Sequence, residues 1–235
     1  MMKKIFALVL GLMLLVSSAA LADEQITVSG TATVKLEPDM VMITLGVSAT
    51  NADVLAAQQE VNAVMNQVIE VLTNDMALPT EDIATTEYRI NESYEYNSMK
   101  GRSEKIGYSA TALLSICVRD IDQAGKVIDA AMNAGANQLN GVEFMSSDQR
   151  DARDQALTLA VQDGMRKAKV IATAAGINLP AVPSSIEEAS MSTYGAVSNS
   201  TYMMMEAAAD SAAGTTLQAG MLSVTAKVTI TYEID

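Results

Sequence analysis

Polar and apolar residues interleave from Ile26 to Leu36. They do so more strictly from Met40 to Val47, where Met40, Met42 and Thr44 alternate with Val41, Ile43 and Leu45. A period of two marks a strand with one buried face, and Glu37-Pro38-Asp39 supplies a turn between the two runs. The period then lengthens. Val54, Val61, Met65, Val68 and Leu72 recur at helical spacing behind Asn51, a residue suited to capping, and Asn74 and Pro79 end the pattern. Thr85–Tyr96 and Gly107–Val118 read as the arms of a hairpin around the polar stretch Asn97–Arg102. Asp120 caps a short helix that runs to Met132, with Gly135 where a left-handed residue ends it. Asn137–Met145 is a further strand.

Ser146 or Ser147 opens a long helix to about Ala175, with Gly176 as its terminator. Along it Ala152, Ala156, Ala160, Gly164, Ala168 and Ala172 recur every fourth residue. Four residues overshoot one helical turn by about 40°, so this stripe winds around the axis. Close packing on a sheet and plain helix propensity both explain small residues there. Strands follow at Val182–Ala189 and Met221–Ile234. The intervening Ser190–Gly220 is rich in Ser, Ala, Thr and Met, almost uncharged and aperiodic, which predicts a long mobile loop at about 190–220. Strand, helix, strand, loop, strand describes both Met40–Val118 and Asn137–Ile234. The expected fold is therefore α+β, with antiparallel sheets packed against helices and two strand–helix–hairpin units sharing one domain.

The first residues follow a different logic. Lys3 and Lys4 precede the apolar run Ile5–Val16, small residues lead to Ala20-Leu21-Ala22, and Asp23 and Glu24 come next. This is the layout of a secretory signal peptide over 1–22, with cleavage between Ala22 and Asp23. The apolar run is shorter than the roughly 20 residues a membrane span needs, which disfavours the alternative of an uncleaved anchor. No cysteine lies near the cut, so the expectation is a periplasmic protein that is not a lipoprotein and keeps no membrane span after cleavage. The remaining domain is 23–235. Cleavage removes Lys3 and Lys4 but no acid, taking the formal charge from −13 to −15. Such a chain repels phosphate backbones, so no nucleic-acid partner is expected.

Histidine is absent. Ser-His-Asp and Cys-His nucleophile systems are excluded in their usual form, as are His-ligated zinc, copper and non-haem iron sites. The single cysteine, Cys117, cannot form an intrachain disulfide; its strand-like surroundings suggest a buried, inert thiol, with a reactive or dimer-bridging one as the alternative. Asp148, Asp151 and Asp154 sit at the start of the long helix with Arg150 and Arg153 between them, which favours interaction with the helix dipole over a cation site. Glu87, Glu92 and Glu95 lie among Tyr88, Tyr94 and Tyr96. Acid–base work is open to carboxylates, but an exposed strand edge guarded by charge accounts for them better. Met203, Met204 and Met205 are the minor candidates for a soft-metal site; a flexible apolar contact patch is the other reading. No Walker or Rossmann glycine loop occurs. No catalytic residue, cofactor or metal is assigned, and the chain is expected not to be an enzyme.

Several segments in order carry a family resemblance. They are Ile26-Thr27-Val28-Ser29-Gly30 with Pro38-Asp39, Val118-Arg119-Asp120 through Val127-Ile128-Asp129-Ala130, Gly135-Ala136-Asn137 with Gly141-Val142, Lys167-Ala168 with Ala175-Gly176, and Ser223-Val224-Thr225-Ala226. Together they resemble the SIMPL-domain family of periplasmic proteins. The resemblance implies an α+β fold, an envelope location, homo-oligomers that are large and channel-like in some members, and a part in oxidative-stress defence. It brings no catalytic set. The leading expectation is a non-enzymatic, self-associating envelope protein that supports stress defence, its small-molecule ligand unknown. The alternative is a ligand- or metal-binding periplasmic module that uses the loops around Tyr94 and Met203.

Overall fold

A computed structural model describes residues 24–194 and 214–234. Ala22 and Met203, Met204 and Met205 lie outside the described residues, as does Asp23. Among the described residues seven strands and three α-helices follow one another as β1 (Gln25–Leu36), β2 (Met40–Asn51), α1 (Val54–Glu70), β3 (Ile83–Asn97), β4 (Arg102–Val118), α2 (Ala124–Asn133), β5 (Gln138–Met145), α3 (Arg150–Ala175), β6 (Ser185–Tyr194) and β7 (Leu222–Glu233). The fold is α+β with two antiparallel sheets, ordered β3-β4-β2-β5 and β1-β7-β6. The chain divides into two compact units, and β1, β6, β7 and α3 supply residues to both.

The larger unit comprises Ala32–Thr158 and Met191–Ala226. Its four-stranded sheet takes its core face from the strict alternation of β2 and β4. Val41, Ile43 and Leu45 are fully buried with Leu114 and Ile116, and Val61, Val68 and Leu72 from the α1 region complete the layer. Each such side chain withdrawn from water contributes about 2 kcal/mol. Helix α1 starts two residues later than the pattern suggests. Asn51 closes β2, and Asp53 is the cap, its Oδ1 accepting from Leu55 N (2.9 Å) and Ala56 N (3.0 Å). The helix continues through a wide turn to Asp75, then reverses at Ala77 in the left-handed region. Asp120 caps the single turn before α2, and Gly135 takes a positive φ behind it, both as expected.

Helix α3 begins at Arg150, because the two serines expected to open it are used elsewhere. Ser147 donates from both N and Oγ to the Asp39 carboxylate, tying the β1–β2 turn to the end of β5, and the Asp148 carboxylate accepts from Arg150 N instead (2.9 Å). Of the segment read as a loop, residues 190–194 belong to β6, while Thr215 is held by Asp129 of α2 through its N (2.9 Å) and Oγ1 (2.6 Å). Residues 195–213 lie outside the described residues.

The smaller unit comprises residues through Thr31, Leu159–Ser190 and Lys227–Asp235. Here the small-residue stripe is explained by packing. A Cβ on Gly30 of β1 would lie 2.0 Å from Ala160 O and 2.6 Å from Gly164 N of α3, so helix and strand meet backbone to backbone. Ala160, Ala168 and Ala172 are buried with Val228, Ile230 and Tyr232 of β7. The Asp163 carboxylate fixes the register of this contact: it accepts from Thr31 N (3.1 Å) and pairs with Arg166 and Lys167 (2.6 Å each), while Lys167 also donates to Ser29 O. Lys167 foremost, then the Thr31 amide and Arg166, hold its pKa well below the usual carboxylate value.

The two strand–helix–hairpin runs recur in order but not in sheet membership. β2, β3 and β4 share one sheet, whereas β5 pairs with β2 and leaves β6 and β7 to the other.

Candidate functional site

Strands β3 and β4 pair without interruption from Ile83↔Ile116 to Asn97↔Arg102, apart from bulges at Thr85/Glu87 and Ser93/Tyr94. β2 stops pairing with β4 at Asn51↔Tyr108. Past that point the hairpin is a two-stranded arm, with no third strand beside it among the described residues. Gly107 marks its root, where any Cβ would lie 2.3 Å from Asn51 O. The tip turns on Asn97, whose Oδ1 accepts from Met99 N (3.1 Å) and Lys100 N (3.2 Å), with Gly101 at φ +63°. Side-chain amides that stand in for backbone partners are a common way to close such turns.

Two carboxylates of the arm gather most of its cations. Lys105 Nζ lies 2.6 Å from Glu92 Oε1 and 3.9 Å from the centre of the Tyr108 ring, and Tyr94 OH donates to Glu92 Oε2 (2.6 Å). Glu104 gathers Lys100 (2.9 Å), Arg102 (3.1 Å) and Asn97 (3.1 Å). Lys105, and after it Tyr94, hold the Glu92 carboxyl below the usual range; that same carboxylate pushes the Tyr94 phenol up. Lys100 foremost lowers Glu104 likewise. Neither carboxylate is poised to shuttle protons near neutral pH. Residues 87–105 hold four acids (Glu87, Glu92, Glu95, Glu104) and four bases (Arg89, Lys100, Arg102, Lys105), so the arm is neutral in a strongly acidic chain. Tyr94 and Tyr96, two apart and hence on one face, are 57% and 66% exposed, and Ile106 is 48% exposed.

The other candidates disperse. Asp148 is engaged by Arg150, whose guanidinium and amide bring its pKa to about 2, and Asp151 lies in the first turn of α3. Among the described residues no group of three or more Cys, Asp or Glu side chains is placed to hold a metal ion. Cys117 is not in the core: Ile116 and Val118 are buried against the helices, and Cys117 points to the opposite face, half-buried. Its Sγ lies 3.6 Å from Met40 Sδ, and Met42 Sδ accepts from Ser115 Oγ at 2.8 Å. Pattern reading missed this sulfur-bearing face. The Met40/Met42 alternation marks one half of it, but the 77-residue separation of Met40 from Cys117 hides the other. It also missed the Arg119 fork on Asp82 (2.7 and 3.1 Å), which borders a cavity of about 250 Å³ that Cys117 lines as well. The smaller unit has an open depression of about 620 Å³ between the end of α3 and Tyr232, with Arg166 and Lys169 on its wall.

Among the described residues, two antiparallel sheets, three α-helices and a tyrosine-bearing hairpin arm that no third strand joins define an α+β fold. Residues 26–232 match the SIMPL family, described as proteins of unknown function (DUF541), and the chain belongs to that family. Among curated proteins it is 28% identical to the uncharacterized protein YggE of Edwardsiella ictaluri over 66% of this chain and 64% of that one. It is 25% identical to the uncharacterized protein YggE of Escherichia coli K12 over 63% and 58%. The 26 kDa periplasmic immunogenic protein of Brucella melitensis is 26% identical over 66% and 63%. The chain thus spans less than two thirds of the length of each of these relatives. None of the three carries the name of an enzyme. No described helix is long and apolar enough to cross a membrane.

Proposed function

We propose that the chain is a non-enzymatic protein of the bacterial periplasm that assembles with copies of itself through the β3–β4 arm, and that the assembly supports the envelope against oxidative and related stress. The arm carries this reading. A ribbon that is two-stranded among the described residues exposes tyrosines that are rigid, amphipathic and typical of protein contacts. A second copy is the partner that best fits its charge. Copies of an acidic chain repel one another over most of their surface, but this arm is neutral overall, with Glu92 and Glu104 paired to its lysines.

The leader-like start and the Brucella relative's name as a periplasmic protein support export. The engaged carboxylates of the arm and the absence of histidine support a non-enzymatic role. Sedimentation of the purified protein over a range of concentrations tests assembly. A mass several times that of the chain is expected; a monomer at every concentration removes the assembly from the proposal.

A further inference from the structure

We propose that Met40, Met42 and Cys117 form a binding site for one Cu(I) ion on the face of the four-stranded sheet that points away from α1 and α2. Strand parity brings these residues together. Val41, Ile43, Ile116 and Val118 are buried at the helix-covered face, so Met40, Met42 and Cys117, which lie between or beside them, project to the other. Met42 and Cys117 are direct cross-strand partners, and Met40 pairs across β2–β5 with Met145, which places a third thioether beside the group. All four are partly exposed rather than sealed in the core.

The spacing suits a shared soft ion. Two sulfurs each about 2.3 Å from one metal and 3.6 Å apart subtend roughly 100° at it, within the range of trigonal and tetrahedral sites. Thiolate and thioether ligands select Cu(I) over the harder cations that carboxylates and carbonyls prefer. Cu(I) entering the site displaces the Cys117 proton to solvent and bonds to the thiolate, while the metal keeps its oxidation state. Arg119, the cation nearest along the strand, is forked onto Asp82 and so partly neutralised, and Glu143 faces Met42 from β5. This site uses none of the residues of the arm.

Anaerobic titration with Cu(I), supplied as its complex with the coloured chelator bicinchoninate, tests the assignment. The full-length purified protein is expected to withdraw one equivalent of copper and to show a thiolate-to-Cu(I) charge-transfer band in the ultraviolet. Cys117→Ser loses the band, and the double variant Met40→Leu/Met42→Leu binds more weakly by roughly tenfold or more. Replacing Met203, Met204 and Met205 with leucine leaves both readouts unchanged. Circular dichroism of each variant separates lost binding from lost folding. A second measurement needs no variant: Cu(I) should protect the single thiol of the wild-type protein from alkylation by iodoacetamide. Failure to withdraw copper, failure to protect Cys117, or equal binding by the folded Met40→Leu/Met42→Leu variant overturns the proposal. So does loss of binding in the Met203–Met205 variant, which would put the ligands elsewhere.

Discussion

Asp53 and Asp163 do unlike work with the same carboxylate. Asp53 meets two free amides at the start of α1, so Asp53→Ala should lower stability by about 1 kcal/mol in chemical denaturation, and Asp53→Asn by much less. Asp163 gathers Lys167, Arg166 and the Thr31 amide, and its folded pKa falls below its ordinary value of 3.8. A depressed carboxylate pKa adds stability above the unfolded pKa, and that stability is lost as pH falls through the lower folded value. Asp163→Asn should therefore be the less stable protein at neutral pH and lose less than wild type on acidification below about pH 4. Parallel denaturation curves for the two across that range would refute this. Sequence reasoning named neither carboxylate, since Asn51 was an equally good cap and the partner strand of Asp163 lies 132 residues away. It did recognise Asp120 and Gly135, where capping is decided within a few neighbours.

Elements with a strong local period were legible in type and place, their ends less so: β2 runs on to Asn51, and α1 starts at Val54. The alternation of β2 buries Val41, Ile43 and Leu45, and the helical spacing buries Val61, Met65, Val68 and Leu72, with Val54 half-buried at the start of α1. Pairing between distant elements was not, because register depends on residues that the local pattern does not join. β5 joins β2 rather than β6 and β7, the later strands of its own run, and Cys117 lands opposite Met42. The stripe on α3 lay between these cases: visible as a repeat, ambiguous in cause. Two substitutions separate packing from propensity. Gly30→Ala drives a Cβ into Ala160 O and should cost about 3 kcal/mol or more. In Gly164→Ala the new methyl meets chiefly the flexible end of Ile230 at 2.7 Å and gains up to about 1 kcal/mol of helix propensity, so its net cost should be about 1 kcal/mol or less. Thermal or urea denaturation ranks the pair; equal costs would mean that the helix and strand backbones do not meet as described.

For the whole molecule, composition restricts chemistry more than it identifies function. A chain without histidine and with one thiol has few routes to nucleophilic or metal-assisted catalysis, and Glu92 and Glu104 of its β3–β4 hairpin are already paired. What stands out is a neutral, aromatic ribbon on an acidic protein. The tyrosines were noticed in the sequence as part of a charged strand edge. Their role as a free arm depends on where β2 stops, which only the fold reveals. The most direct test of assembly through this arm is the solution mass, by analytical ultracentrifugation at several concentrations, of wild type beside Tyr94→Ser/Tyr96→Ser. The account predicts a wild-type oligomer and a folded variant shifted toward monomer, with at least a roughly tenfold weaker association if the two tyrosines are anchors. An oligomer of the same size and strength in both proteins would contradict it.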